Sequence, residues 1–568
     1  MSTTDPHTEP DTDVLVVGAG PIGLTSALAL RHHGIDCTVL EERTETREYS
    51  RANNLWARPQ ELLASIGLRD ALAGEAYAVR RINFFLKGTP APTTRVDDVD
   101  SPSPAVLYSG QDAIEKTLLG ALEARGGRLE RGRRVIDVEQ DEDGVTATVE
   151  SVEDGARTRT RARYLVAADG PKSLIRDLVG LGFEPERFEG RMNRQGDVKL
   201  SWRRSTDPDQ LWFFYYEQGF CGVMPVRGGY HRLFFLADDT GVPDRDPTLE
   251  ELQGIAREVT GDETLTLSDP IWLTHSRFQH GHAETYAKGR ILLAGDAGHL
   301  TLPIGGQGMN AGLHDAVGVA WRLAMTLRGT AAPVVLDSYA AERGGEHARL
   351  DEQQAKGFRR TVYRGRLADA ALETALEAWP EVGSLLQGTD DLQQLSVRYP
   401  DSPLNEDRLR GLGGLRDHGG PKPGERAPNA EVQDGGTTAN LHDFLYNPDG
   451  DTTGWALLAF DGRDGRAGEE LRRAVAAAAD FPCVHPRLVL AGPSLEADGA
   501  RTLSDMDGKA HRAYGLEGTP ALILVRPDGH IGLRVGVGDV NHMIGYCQKV
   551  FGAATVEADS PADGSEAA

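Results

Sequence analysis

Gly18, Gly20 and Gly23 follow the apolar run Val14–Val17 and precede a helix-period stretch from Leu24 to His33. In a strand–turn–helix unit the first such glycine permits the tight turn. The second lets a pyrophosphate approach bare backbone, and the third lets the helix pack on the strand. The N–H groups at the helix start then face the phosphate anions. A second apolar strand, Cys37–Leu40, ends at Glu41, an acid placed to accept hydrogen bonds from ribose hydroxyls. This βαβ pattern predicts a dinucleotide site and leaves open whether the dinucleotide is a flavin or a nicotinamide.

Two later segments bear on the choice. Tyr164–Arg176 reads as a strand, a turn at Asp169-Gly170, and a helix start capped by Ser173. Gly289–His299 places Asp296 at a strand end, and Pro303-Ile304-Gly305-Gly306-Gln307-Gly308-Met309-Asn310 leads into a long helix. A plain glycine-rich loop accounts for neither the strand-end Asp nor the Gly-Gly-Gln-Gly run before the helix.

With these three motifs in this order, nearly the whole chain resembles the group A flavoprotein aromatic hydroxylases, the family of para-hydroxybenzoate hydroxylase and phenol hydroxylase. The resemblance implies FAD as cofactor, NADPH or NADH as transient reductant, and O2 and an aromatic small molecule as partners. It implies that Gly18, Gly20, Gly23 and Glu41, with Arg43 beside them, hold the ADP half. Arg51 and Gln111 would contact the phosphate and ribityl region, and Asp169 and Gly170 would lie near the pyrophosphate. Asp296 would bind the ribityl chain. Gly305, Gly306, Gly308, Met309 and Asn310 would pack against the isoalloxazine, with Pro303. Arg51, Pro303 and Gly306 are the candidate catalytic groups, because the family's flavin swings between two positions past them. Oxygen transfer would run through a C4a-hydroperoxyflavin. A helix N-terminus at Gly305–Asn310 supplies preorganised donors for the anionic edge of reduced flavin.

The elements that must position these residues follow from pattern. The expected fold is α/β: a Rossmann-like FAD-binding domain, an inserted antiparallel-sheet lobe and a C-terminal domain. Residues 13–182 and 278–410 form the FAD-binding domain, with 82–108 contributing to the lobe at 183–277. Residues 411–428 form a linker, and 1–12 and 554–568 are disordered tails. The unit 429–553 resembles the thioredoxin-like domain of phenol hydroxylase and the polyketide hydroxylases, through Pro423–Pro428, Gly518-Thr519-Pro520 and Arg526–His530. The lobe carries Trp212, Phe214, Tyr216, Phe220, Met224 and His275 as candidate substrate residues, although a sheet core would use the same aromatics.

The balance of 61 basic and 86 acidic residues, −25 in all, argues against nucleic acid and anionic membrane partners. Four scattered cysteines with no metal-ligand spacing point to reduced thiols, a cytoplasmic location and no metal site. A homodimer is compatible with the resemblance. The expected reaction is hydroxylation of a phenolic or polycyclic aromatic, polyketides included. Epoxidation or Baeyer–Villiger insertion by the same cofactor, and a non-catalytic flavin protein, stay open.

Overall fold

The computed structural model describes residues 10–46, 52–216, 219–238, 242–302, 304–362, 389–409, 419–446, 454–462, 467–492 and 495–552. Arg51, Pro303, most of the N-terminal tail, the C-terminal tail and the 411–418 part of the linker lie outside these residues.

Among the described residues the first sheet has eight strands. At its centre Cys37–Glu41, Thr12–Val17, Arg157–Ala167 and Ile291–Leu293 run parallel in that spatial order. Their apolar residues, Val14, Leu15, Val16, Val39, Leu165, Val166 and Leu293 among them, are completely buried. Strands covered on both faces need such unbroken apolar runs. Thr12 already pairs with Ala162. The strand therefore takes in the last residue of the expected tail, because Thr12 pairs with the neighbouring central strand. Helices Pro21–His32 and Gln307–Leu327 pack closely where Gly312 meets Ile22; a Cβ there would sit 2.7 Å from the Ile22 side chain.

The second sheet has nine strands and is mostly antiparallel. Gln210–Tyr216, Gly219–Val226, Tyr230–Asp238, Glu186–Ser201 and Thr266–His282 succeed one another across it, and Arg81–Leu86 joins Gln210–Tyr216 in parallel. One face carries Val198, Phe214, Cys221, Val223, Leu233 and Phe235 against Leu252, Ala256 and Val259 of helix Leu249–Thr260. That helix begins at a reciprocal Thr248/Glu251 capping box. The opposite face carries Phe213, Phe220, Met224 and Phe234, which pack beside Trp56 and Leu302.

A third sheet, eight-stranded, forms the C-terminal unit around Trp455–Phe460, Val484–Leu490, Ala521–Val525 and Ile531–Gly536. Helices Gly468–Ala478 and Val540–Phe551 bury one of its faces. Buried ion pairs tie this unit to the first. Arg526 donates to Glu342 at 2.7 and 2.8 Å, and Arg426 donates to Glu61 at 2.6 and 2.9 Å. Arg58 donates to Glu61, to the Tyr446 hydroxyl and to the Asp528 carbonyl.

Candidate functional site

The parallel strands bring the motif residues to one edge. Val17 pairs with Leu40 and Ala167, and Ala167 with Leu293. Gly18, Glu41, Asp169 and Asp296 therefore all stand at or just past the carboxyl ends of adjacent strands. In open α/β sheets this is the edge where ligands bind.

Each glycine of the first turn has its own reason. Gly18 sits at φ 103°, and a Cβ there would lie 2.3 Å from the Ala168 carbonyl oxygen. A Cβ on Gly23 would lie 1.9 Å from the Gly18 carbonyl oxygen, so helix and turn could not close together. Gly20 has nothing within 4 Å of that position. Its open side faces outward at the N-cap of helix Pro21–His32, which has no side-chain cap and no acid in its first turn. Those amides are free for an anion.

Glu41 is buried and accepts from the Ala19 amide at 2.7 Å, the Arg43 amide at 3.0 Å and the Arg43 Nε at 2.8 Å. Burial pushes its carboxyl upward, but the Arg43 guanidinium and the two amides outweigh it and hold it below the usual range. Arg43 thus orients the acid. Gln111 accepts from the Ala52 amide at 3.2 Å and donates to Glu115 at 2.8 Å, which places it beside the segment that follows Arg51.

Asp169 accepts from the Ile175 amide through Oδ2 at 3.2 Å, while its Oδ1 is buried with no hydrogen-bond partner. Burial raises its carboxyl above the ordinary range despite hydrogen bonds from Ser173 and from backbone amides. Gly170 beside it takes φ 87°. Arg176, at the end of the Tyr164–Arg176 segment, donates to the Ala297 carbonyl at 3.1 Å and ties this turn to the Asp296 turn. Asp296 is exposed at the tip of that turn.

The Gly305–Asn310 loop is held by residues that pattern reading passed over. Gly305 and Gly306 take φ 72° and 62°, and a Cβ on Gly306 would lie 2.0 Å from the Asn54 side-chain oxygen. The Trp56 indole donates to the Gly305 carbonyl at 2.7 Å. The Asn310 side chain is used entirely within the protein: it donates to Gly306 at 2.7 Å and Asn54 at 3.0 Å, and accepts from the Trp56 amide at 3.0 Å. It pins the loop rather than reaching out of it. A Cβ on Gly308 would lie 2.7 Å from the Thr301 hydroxyl, and Met309 packs against the main core. Helix Gln307–Leu327 starts here with no side-chain cap and no acid in its first turn, a second free set of amides.

Behind the site, fully buried Asp315 accepts from the Gly295 amide at 2.9 Å, Arg343 at 2.6 Å, His347 at 3.0 Å and His299 at 3.1 Å. Against the burial of this carboxyl, the adjoining guanidinium holds it well below its usual range. His299, Asp315 and His347 have the spacing of a metal triad, but the Arg343 guanidinium touches both Asp315 and His347 and takes the place of a cation. The cluster anchors the Gly295–Asp296 turn.

The candidate substrate residues divide between the faces of the second sheet. Phe220 and Met224 lie on the face toward Leu302 and Trp56. Trp212, Phe214 and Tyr216 lie on the other face, in the core beneath helix Leu249–Thr260, because side chains alternate along a strand. Their partners Phe213 and Tyr215 contact Phe220 at ring separations of 5.2 and 5.1 Å on the site face. His275 is also on the outer face, held between Asp246 at 2.8 Å and Asp244 at 3.2 Å. Trp212, Phe214, Tyr216 and His275 thus stand on the sheet face opposite Phe220 and Met224.

The residues present fit FAD: two uncapped helix N-termini, an open glycine, an oriented acid and an orphaned buried carboxylate oxygen surround one edge. Comparison with known proteins agrees. The family described as FAD binding domain matches residues 11–352, and the chain belongs to it. Pentachlorophenol 4-monooxygenase of Sphingobium chlorophenolicum is 28% identical over 94% of this chain and 95% of its own. Rifampicin monooxygenase of Streptomyces venezuelae is 35% identical over 68% of this chain and 79% of its own. Among solved structures, OxyS anhydrotetracycline hydroxylase from Streptomyces rimosus has a TM-score of 0.69 at 28% identity and covers 95% of this chain and 99% of its own. Aklavinone-11 hydroxylase in complex with FAD and aklavinone has a TM-score of 0.73 at 25% identity, covering 96% and 99%. The protein is an FAD-dependent monooxygenase.

Proposed function

We propose that the protein hydroxylates a phenolic or polycyclic aromatic, drawing electrons from NADPH or NADH. The observation that carries this reading is the apolar sheet face of Phe213, Phe220, Met224 and Phe234 set against the Gly305–Asn310 loop. An aromatic ring placed there is shielded from water beside the flavin site. The names of the relatives, which act on pentachlorophenol, rifampicin and anhydrotetracycline, support the same substrate class.

Bound FAD supplies the redox chemistry: NAD(P)H, a proton, O2 and Ar–H become NAD(P)+, water and Ar–OH. The chain's own residues bind and orient. The amides at Gly20 and beyond take the pyrophosphate, Glu41 takes the ribose hydroxyls, and Asp169 Oδ1 accepts from a hydroxyl of the cofactor. The first-turn amides of helix Gln307–Leu327 stabilise negative charge next to the site face. Arg51 and Pro303 are assigned to the moving flavin contacts. The division into FAD-binding domain, substrate lobe and thioredoxin-like C-terminal domain belongs to this proposal, as do a cytoplasmic location and a homodimer. Among the described residues no helix is long and apolar enough to cross a membrane.

The reading is tested by adding phenols and polycyclic phenols to the flavin-loaded protein and following NAD(P)H consumption with product mass. Aromatic-stimulated oxidation with a product one oxygen heavier is expected. NAD(P)H oxidation that no aromatic alters, with no product, would overturn it.

A further inference from the structure

The face that looks toward the flavin loop is apolar except for a short row of polar side chains on Glu186–Ser201, Tyr230–Asp238 and Thr266–His282. Asp197 is consumed by Arg232, at 2.8 Å from both Nε and Nη2, and by the Trp272 indole at 2.8 Å. Four residues earlier on the same strand, and so on the same face, stands Asn193. It pairs directly with Leu236 on one side and Ser276 on the other. Leu236 packs with Phe278, Phe220, Phe234 and Leu302, the residue immediately before the 303–310 loop. Asn193 is therefore beside the wall where an aromatic ring would rest.

The Asn193 amide nitrogen donates to the Ser276 hydroxyl at 3.2 Å. Its Oδ1 has no partner, although the residue is only 2% exposed. A carboxamide oxygen left unmatched in an apolar wall carries a desolvation cost that a packed core does not retain without use. Ser276 next to it is exposed, so the row opens at that end into accessible space. The free atom is an acceptor, and it calls for a hydroxyl donor on whatever occupies the wall.

We infer that Asn193 is a specificity-determining residue whose carboxamide oxygen accepts a hydrogen bond from the phenolic hydroxyl of the aromatic substrate. The assignment rests on the hydroxylase reading. It narrows the substrate to aromatics that carry a free O–H on the edge facing Glu186–Ser201. It also predicts that an O-methylated analogue is rejected, because the ether cannot donate and leaves the oxygen buried unmatched.

The test is equilibrium binding of 2-naphthol and 2-methoxynaphthalene to the FAD-loaded protein. The protein is expected to bind the naphthol at least about tenfold more tightly than its methyl ether, ~1.4 kcal/mol. Asn193→Leu should bring that ratio to within about threefold while affinity for the ether is kept, and Asn193→Asp, which retains an acceptor, should restore the preference. FAD content is measured for each variant. Should Asn193→Leu fail to hold FAD, Asn193→Ala is read in the same way. No preference in the unaltered protein, or an unchanged ratio in the apolar variants, overturns the inference. Lack of oxygenated product from a protein that shows the preference would instead sink the hydroxylase reading and leave the Asn193 assignment standing.

Discussion

At the scale of single residues, the site depends on positions where only one side chain fits. Gly306 combines φ 62° with a Cβ position 2.0 Å from Asn54. Gly306→Ala must move either the loop or Asn54, at a cost of about 1 to 3 kcal/mol. FAD titration of the apo-protein is expected to show weaker binding by at least about tenfold. Gly20→Ala, with nothing within 4 Å, should fold normally yet weaken FAD, because the new methyl occupies the phosphate's approach. Equal FAD affinity in both variants and the parent would remove these turns from the site. Much of this was legible in sequence, since the Gly18/Gly20/Gly23 spacing and the strand-end acids state their own geometry. Asn54, Trp56 and Asp315 were not. They act through hydrogen bonds to residues far along the chain, Trp56 to Gly305 and Asp315 to Arg343, and no local pattern records such pairings.

At the scale of elements, the second sheet separates stability from recognition by alternation. Phe214 lies in the core under helix Leu249–Thr260, 1% exposed, whereas Phe213 and Phe220 are half-buried on the site face. Phe214→Ala should cost roughly 3 to 5 kcal/mol of stability, read as a lower denaturation midpoint. Phe220→Ala should cost distinctly less stability and mainly raise the KM for the aromatic substrate. The reverse result would mean the faces have been exchanged. The strands themselves could be read from their β-rich runs and the Gly228-Gly229 turn. Their facing could not, because Trp212 to Tyr216 is aromatic at every position and apolar on both sides. Only the register with Phe220–Met224 and the helix that covers one face decide which residues turn toward the loop.

At the scale of the whole molecule, the C-terminal unit is part of the structure that holds the site. Arg58 stands in the first turn of the helix that follows Trp56, and it reaches Asp528 and Tyr446 of that unit. Trp321 of the helix that starts at the flavin loop donates to Asp528 at 3.2 Å. A chain ended before Gly424 would strip Glu61 of Arg426 and Glu342 of Arg526, and would expose Trp321, Met325 and Val335, which pack in one apolar cluster with the C-terminal unit. Truncation is therefore expected to give insoluble or FAD-free protein, and a soluble, FAD-loaded fragment would contradict this. Acid should act in the same place. Burial lowers His442, at this junction, to about 4 and His33 to about 3, and it lowers His231 to about 4. Each is depressed below the ordinary value of about 6.5, so the unfolded chain binds more protons between these limits. Their contribution to stability is full above pH about 6.5 and is lost as pH falls toward 4. Denaturation midpoints should fall across that window, and His442→Gln should flatten part of the slope.

The proposed transfer of oxygen from O2 to an aromatic ring takes place at the edge defined by Gly20, Glu41, Asp169 and the Gly305–Asn310 loop. The most direct measurement is turnover under 18O-labelled O2 with NADPH and a phenolic substrate, followed by mass spectrometry of the product. One labelled oxygen atom per product molecule is predicted, together with loss of product and of bound FAD in Gly20→Ala. Unlabelled product, or full activity from protein that retains no FAD, would contradict this transfer.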